Sequence, residues 1–161
     1  MELRTDKIRA CFDRKIGNFT ELWNLSTNTN YVRCAPRDPL IELYGLKNGE
    51  RVKLSGHISD VAEAPDALIL SYDSFGEYDI SAKVTCRCEQ DRLVFSAEIC
   101  NHSTIDVTEI LMPHLGGIYL GNGQKDYLIY PHHAGDKTED PVYNYAENRM
   151  TFWRGCSVPF E

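Results

Sequence analysis

The stretch Ile80–Asn101, ISAKVTCRCEQDRLVFSAEICN, decides the fold because it predicts two long strands joined by a tight turn. Apolar and polar residues alternate on both sides of Gln90-Asp91, with the period of two that is typical of half-buried strands. A slip of one residue would bury the charged side chains, so a single register fits both faces. That register pairs Cys88 with Leu93, Cys86 with Phe95, Val84 with Ala97 and Ala82 with Ile99, and on the other face Glu89 with Arg92, Lys83 with Glu98 and Thr85 with Ser96.

A second hairpin is predicted over residues 40–54, where Asn48-Gly49 separates two apolar runs. Asn-Gly is the strongest two-residue signal for a hairpin turn, since both turn residues need a positive φ. Centring the turn there pairs Lys47 with Glu50, Gly45 with Val52 and Leu43 with Leu54. The apolar partners then share one face of the hairpin.

The remaining chain alternates between short strand patterns and turn signals, which favours an all-β protein. Strands are predicted over residues 7–12, 19–25, 40–46, 68–72, 107–112 and 127–130. Tyr31–Ala35 is either a brief strand or an extended loop, and Asp60–Ala67 is expected to be a loop because it contains Pro65. We predict a single antiparallel β-sandwich domain over residues 1–161.

Composition excludes several classes of function. The chain has 161 residues and a net charge of −7, which argues against a nucleic-acid partner because such proteins carry basic patches. No apolar run approaches the roughly 18 residues of a membrane span. The charged N-terminus has no apolar signal core. We expect an extracellular or periplasmic location if a signal peptide has been removed, and a cytoplasmic one otherwise.

Six cysteines are present, but the chain is long enough to form a core without disulfides. Cys86 and Cys88 share one face of a predicted strand, so half of a zinc site is an alternative to two buried thiols. The hairpin register favours buried thiols, because both residues fall on its apolar face. We predict no metal site and no cofactor.

Most of the candidate binding chemistry lies in Ile110–Gly135, ILMPHLGGIYLGNGQKDYLIYPHHAG, which holds three of the five histidines. Two strand-like runs end in proline, and glycines between them suit tight turns better than a phosphate loop, since no helix pattern follows. Aromatic side chains here suit either sugar C–H faces or packing against another domain. The candidate ligand-binding or interdomain residues are His114, Tyr119, Asp126, Tyr130, His132, His133 and Trp153.

Four segments carry a resemblance to a known family: CFDRKIGNFTELWN, SAEICNHS, EILMPHLGGIYLG and DYLIYPHHAG. The chain resembles the galactose-mutarotase-like β-sandwich, or supersandwich, at the N-terminus of bacterial multidomain glycoside hydrolases, near the endo-α-N-acetylgalactosaminidase-like families. The resemblance implies a β-sandwich that precedes a (β/α)8 catalytic barrel. Mutarotases use two histidines and a carboxylate, for which His114, with His132 or His133, and Glu98 or Glu109 are the nearest counterparts. Their motif context differs, so no catalytic residue is assigned.

Three functions follow from these observations. The first is a non-catalytic accessory domain of a glycoside hydrolase, which packs against the catalytic barrel and borders its cleft. The second is a stand-alone carbohydrate-binding module, and the third is a mutarotase- or epimerase-like sugar enzyme. The expected partners are accordingly a carbohydrate or a neighbouring catalytic domain.

Overall fold

The computed structural model describes residues 1–32, 34–115, 118, 127–130 and 136–139. Within these residues the secondary structure consists of strands, turns and bends, and no helix occurs. The strands are β1 (Glu2–Arg4), β2 (Ile8–Phe12), β3 (Phe19–Asn24), β4 (Thr29–Asn30), β5 (Glu42–Lys47), β6 (Glu50–Leu54), β7 (Asp60–Glu63), β8 (Ala67–Tyr72), β9 (Ile80–Glu89), β10 (Arg92–Asn101), β11 (Asp106–Leu111), β12 (Tyr127–Tyr130) and β13 (Asp136–Glu139).

The strands form antiparallel sheets, which confirms the predicted all-β class. Sheet 1 has the order β1-β2-β3-β4, sheet 2 has the order β10-β9-β8-β7, and sheet 3 has the order β11-β5-β6. Strands β12 and β13 pair as a separate hairpin. The chain divides into two compact units, Met1–Tyr119 and Leu120–Glu161, and the first contains all three larger sheets. The single domain over residues 1–161 stays a prediction.

The β9–β10 hairpin has the predicted register in every pair, including Cys86 with Phe95 and Lys83 with Glu98. Alternate residues of β9 are buried, from Ile80 through Cys88, while the residues between them are half-buried or exposed. Gln90 adopts a φ of 51° to close the turn. The period of two in the sequence therefore fixed both the pairing and the buried face.

The β5–β6 hairpin also confirms its prediction, with Lys47 opposite Glu50 and Leu43 opposite Leu54. Its turn residues Asn48 and Gly49 have φ values of 54° and 83°. Positive φ at both central positions is what the turn of a two-residue hairpin requires, and Asn-Gly adopts it with little strain. This local chemistry holds the strands in register.

One cluster of buried apolar side chains joins the three larger sheets. Phe19 of sheet 1 packs edge-on against Phe95 of sheet 2, with ring centroids 6.1 Å apart. Sharing one core between facing sheets is what a β-sandwich requires. The core strands contribute Leu3, Ala10, Phe12 and Phe19 from sheet 1, Leu68, Leu70, Tyr72, Ile80, Ala82, Val84, Cys86 and Cys88 from sheet 2, and Leu43 and Leu54 from sheet 3.

One segment differs from its prediction. Asp60–Glu63 was expected to be a loop but forms β7, an edge strand that pairs only with β8 among the described strands. Its residues are half-buried or exposed, so they lack the apolar alternation that identifies a strand, and Pro65 lies just beyond it. Tyr31–Ala35, predicted as a brief strand or an extended loop, contributes one bridge through its described residues, between Val32 and Ile118.

Asn18 holds three loops of the first unit together. Its side chain is fully buried, and its Nδ2 donates to the backbone oxygens of Asp38, at 3.0 Å, and His114, at 2.8 Å. Its Oδ1 accepts a 2.9 Å bond from the backbone nitrogen of Phe19. Buried polar groups need such partners, so this single side chain joins the loop before β3, the loop before β5 and the segment after β11.

Candidate functional site

His114 is the predicted site residue whose side-chain surroundings the structure gives. It lies after β11, half-buried, and its backbone N–H donates to the carbonyl oxygen of Leu40 at 2.8 Å. The imidazole Nδ1 lies 3.5 Å from Oε1 of Glu42, which is too long for a well-formed hydrogen bond. This nitrogen is buried and has no hydrogen-bond partner in the described part of the chain. The histidine therefore faces a carboxylate that the sequence did not single out.

Glu42 is the buried carboxylate at this position, with 3% of its side chain exposed. Lys53 donates to its Oε1, and the hydroxyl of Tyr44 donates to its Oε2 at 3.0 Å. Burial alone raises the pKa of Glu42, but the hydrogen bonds from Lys53 and Tyr44, with His114 nearby, together hold it below its usual value. Glu42 is thus a satisfied, ionised carboxylate.

The carboxylates that the sequence suggested as partners for His114 have other neighbours. Glu109 accepts two hydrogen bonds from Arg51, at 2.8 and 3.1 Å. Glu98 is exposed on β10 opposite Lys83. The structure therefore brings His114 together with Glu42, whereas Glu109 pairs with Arg51 and Glu98 lies on the exposed face of β10.

The other predicted site residues are only partly covered by the structure. Tyr130 ends β12, where its backbone pairs with Asp136 of β13. The remaining five lie outside the described residues: Tyr119, Asp126, His132, His133 and Trp153.

An apolar cleft of about 530 Å³ lies between sheet 1 and the β10 edge of sheet 2. Sequence reasoning missed it, because its walls come from four segments that are distant along the chain. Its apolar and aromatic lining consists of Ile8, Phe19, Leu22, Trp23, Tyr31, Leu93, Phe95 and Leu115, and its polar border consists of Lys7, Asn24, Ser26, Asp91 and Arg92. We call this site the apolar cleft.

The indole of Trp23 is held in place at the wall of the apolar cleft. Its Nε1 donates to Oε2 of Glu21 at 2.7 Å, and the same oxygen accepts a 2.7 Å bond from Arg9. Arg9 also contacts Glu2 at 3.2 Å. An aromatic ring that is fixed before binding loses little conformational entropy when a ligand stacks on it.

A second depression, of about 240 Å³, lies beside Glu42. It opens between the loop before β3, the loop before β5 and the segment after β6, and Asn18 joins the first two of these. We call it the polar cavity, and define it by Lys15, Ile16, Arg37, Asp38, Pro39, Ile41, Glu42, Lys53, Leu54, Ser55, Gly56, His57 and Tyr72.

Cys86 and Cys88 are buried thiols, as the hairpin register predicted, whereas Cys34 and Cys100 are exposed. Cys86 is fully buried and Cys88 is 8% exposed. Burial, with a smaller effect of Cys88, raises the pKa of Cys86 to about 12, so this thiol stays protonated and unreactive. Within the described residues, no group of three or more His, Cys, Asp or Glu side chains is arranged to hold a metal ion.

No protein-family model, curated protein or solved structure matches this chain. The galactose-mutarotase-like resemblance therefore stays a prediction that rests on the quoted segments. In the part of the chain that the structure describes, no helix is long and apolar enough to cross a membrane.

Proposed function

We propose that this chain is a non-catalytic accessory β-domain of a carbohydrate-active enzyme of the glycoside hydrolase type. The apolar cleft is the observation that carries the proposal. It combines a pre-positioned Trp23, the half-buried Tyr31 and Phe95, and a polar border in one 530 Å³ depression. Aromatic faces with polar groups around them suit both sugar rings and the centre of a domain interface.

In the leading form of the proposal, a catalytic barrel of the same enzyme packs against the apolar cleft. Its lining is mostly aliphatic and aromatic, and its border charges are already paired, as Lys7 is with Asp91 at 3.8 Å. Leu115, which is 40% exposed, lies in this cleft directly after His114, one of the candidate interdomain residues. An apolar centre with a polar edge is the usual anatomy of such interfaces.

A non-catalytic role is also supported by the state of Glu42. Glycoside hydrolysis needs two carboxyl groups that face the scissile bond, about 5–5.5 or 6.5–9.5 Å apart. Glu42 has Lys53 on one oxygen and Tyr44 on the other. A carboxylate with both oxygens occupied is poorly placed to act on a substrate.

A stand-alone carbohydrate-binding module is the alternative, and the fixed indole of Trp23 favours it. The alternative predicts that the chain alone binds sugars. The test is isothermal titration calorimetry with galactose, N-acetylgalactosamine and short oligosaccharides built from them. A module binds at least one with a Kd of about 1 mM or tighter. Trp23→Ala then abolishes binding, whereas Tyr78→Ala, which changes a half-buried tyrosine outside the cleft, leaves it intact.

The leading form requires a different test, on the protein encoded by the complete reading frame that contains this chain. We expect a (β/α)8 region in that frame and hydrolysis of an aryl glycoside from a panel of sugars. Trp23→Ala and Leu115→Ser should lower the melting temperature or kcat of that enzyme, while Tyr78→Ala should have a smaller effect on kcat. If there is neither a catalytic region nor sugar binding by the chain, the proposed function is wrong.

A further inference from the structure

The outer edge of β10 is the longest strand edge among the described sheets. β10 ends sheet 2, and all ten of its residues pair with β9 without a bulge. The other edge strands have two to six residues, and the longest of them, β11, has a register shift between Val107 and Glu109. Proteins protect sheet edges with short strands, bulges, prolines or lysines, because an open edge pairs readily with another strand. The sequence of β10 has none of these features.

The turn of the β9–β10 hairpin shows which backbone groups face this edge. A two-residue turn closes with backbone hydrogen bonds between Glu89 and Arg92, and every second pair of an antiparallel ladder repeats them. No backbone hydrogen bond from a described loop or turn reaches the groups that face away from β9. These outward N–H and C=O groups belong to Leu93, Phe95, Ala97 and Ile99.

The solvent face of β10 carries one charge near each end. Arg92, whose side chain is 72% exposed, contacts Glu89 of β9 at 3.0 Å. Glu98 is exposed and lies opposite Lys83 of β9. Each charge therefore has an opposite charge on the β9 side and an open position on the other side. A strand that pairs favourably with this edge must present an acidic residue to Arg92 and a basic residue to Glu98.

The sequence of β10 itself meets both requirements. When two copies of β10 run antiparallel about a two-fold axis at Phe95, Arg92 of each copy lies opposite Glu98 of the other. With Lys83 and Glu89 of the flanking strands, the charges then alternate in sign across four strands. A register shift of two residues would still pair the outward backbone groups, but it would separate Arg92 from Glu98.

We propose that this chain forms a two-fold symmetric homodimer in which β10 pairs with β10 of a second copy, in the register that joins Arg92 to Glu98. The two copies of sheet 2 become one continuous antiparallel sheet. Main-chain hydrogen bonds along the edge supply affinity, and the two charge pairs select the register. Such an interface is closed, since the same patch of both copies is used.

This inference goes beyond the proposed function and does not depend on it. The interface is the backbone edge of β10, and Trp23 of sheet 1 takes no part in it. Leu93 also lines the apolar cleft, and in the dimer it lies opposite Ala97 of the second copy. The second copy therefore extends the β10 wall of the cleft.

Sedimentation velocity of the 161-residue chain over a range of concentrations measures the association. We expect a reversible equilibrium between monomer and dimer, with a Kd of about 100 µM or tighter. A chain that stays monomeric at about five times that concentration would overturn the proposal.

Arg92→Glu and Glu98→Arg test the register. Each change alone creates two like-charge contacts in the dimer, so we expect each to weaken association about tenfold or more. In a one-to-one mixture, the two variants carry opposite charges at both contacts, so their heterodimer should form with close to wild-type affinity. Arg14→Glu is the matched control, because Arg14 is exposed and pairs with Glu63 away from β10. If the mixture associates no better than either variant alone, the proposed register is wrong.

Ala97→Pro tests the backbone pairing. The N–H of Ala97 faces the open edge, so proline removes a donor from the dimer and leaves the bonds to β9 in place. We expect this variant to be monomeric, with the circular dichroism spectrum of the wild type. Wild-type association by a folded Ala97→Pro would overturn the proposal, and the charge variants decide the question if Ala97→Pro does not fold. Trp23→Ala should still dimerise, which separates this result from a failure of the proposed function.

Discussion

The apolar cleft and the polar cavity lie in the same compact unit but are built in different ways. The cleft is lined mainly by strand residues that the sheets leave half-buried, such as Leu22 and Leu93. The cavity is lined mainly by loops: buried Asn18 joins the loop before β3 to the loop before β5, and the ion pair of Glu42 with Lys53 links β5 to β6 beside them. We therefore expect substitutions of the residues that hold the cavity together to lower the free energy of unfolding. Substitutions in the cleft should mainly alter ligand binding.

The largest expected effect comes from Asn18→Ala, which removes the side chain that joins the cavity loops. Three backbone groups that are buried or partly buried lose their partner, and we expect the free energy of unfolding to fall by about 3 kcal/mol. Urea unfolding followed by circular dichroism measures this change.

Asn101→Ala is the matched control for Asn18→Ala. Asn101 also makes three hydrogen bonds, but it is exposed at the end of β10, where water can replace them. We expect a loss of about 1 kcal/mol or less. Equal losses for the two variants would contradict the role given to Asn18 in assembling the cavity.

Glu42→Gln tests the electrostatics of the cavity. The pKa of Glu42 is held below its usual value in the folded protein, so the carboxylate stabilises the fold at neutral pH. We expect a loss of about 2 kcal/mol at pH 7, typical of a hydrogen bond to a charged group. As pH falls through and below the usual carboxyl pKa of about 4.3, the wild-type protein loses this contribution and the difference from Glu42→Gln should shrink.

Unfolding curves for wild type and Glu42→Gln at several pH values between neutral and acidic provide the measurement. Glu109→Gln is the control, because Glu109 pairs with Arg51 at the surface, where the two side chains are 40% and 55% exposed. Exposed pairs contribute about 1 kcal/mol or less, so its effect should be small. If the difference in the free energy of unfolding between wild type and Glu42→Gln grows as the pH falls, the assigned direction of the Glu42 pKa shift is wrong.

The smallest effect on stability is expected in the apolar cleft, from Leu115→Ser. The side chain is 40% exposed, so its loss should lower the free energy of unfolding by about 1 kcal/mol or less. The same change should weaken binding of the apolar dye anilinonaphthalenesulfonate several-fold, as measured by fluorescence titration. Leu46→Ser is the control, since Leu46 is 42% exposed but lies outside the cleft. If Leu115→Ser and Leu46→Ser bind the dye equally well, the expected role of the apolar cleft in binding is wrong.

Local patterns made the hairpins predictable from the sequence. Asn48-Gly49 sets its own turn, and the alternation around Gln90 permits one register, so both pairings depend on residues close in the chain. The two sites depend on distant residues instead. The bond from Asn18 to the carbonyl of His114 spans 96 positions, and no local pattern marks it. Glu42 also has the sequence context of an ordinary polar strand residue, because the lysine that pairs with it lies across the hairpin.

The span of that hydrogen bond has a consequence for synthesis of the chain. Asn18 leaves the ribosome 96 residues before the backbone oxygen that its amide binds. At translation rates of about 5–20 residues per second, roughly 5–20 s pass between the synthesis of Asn18 and that of His114. The β5–β6 and β9–β10 hairpins can pair as they emerge, whereas the hydrogen bond from Asn18 to His114 can form only after His114 has been made.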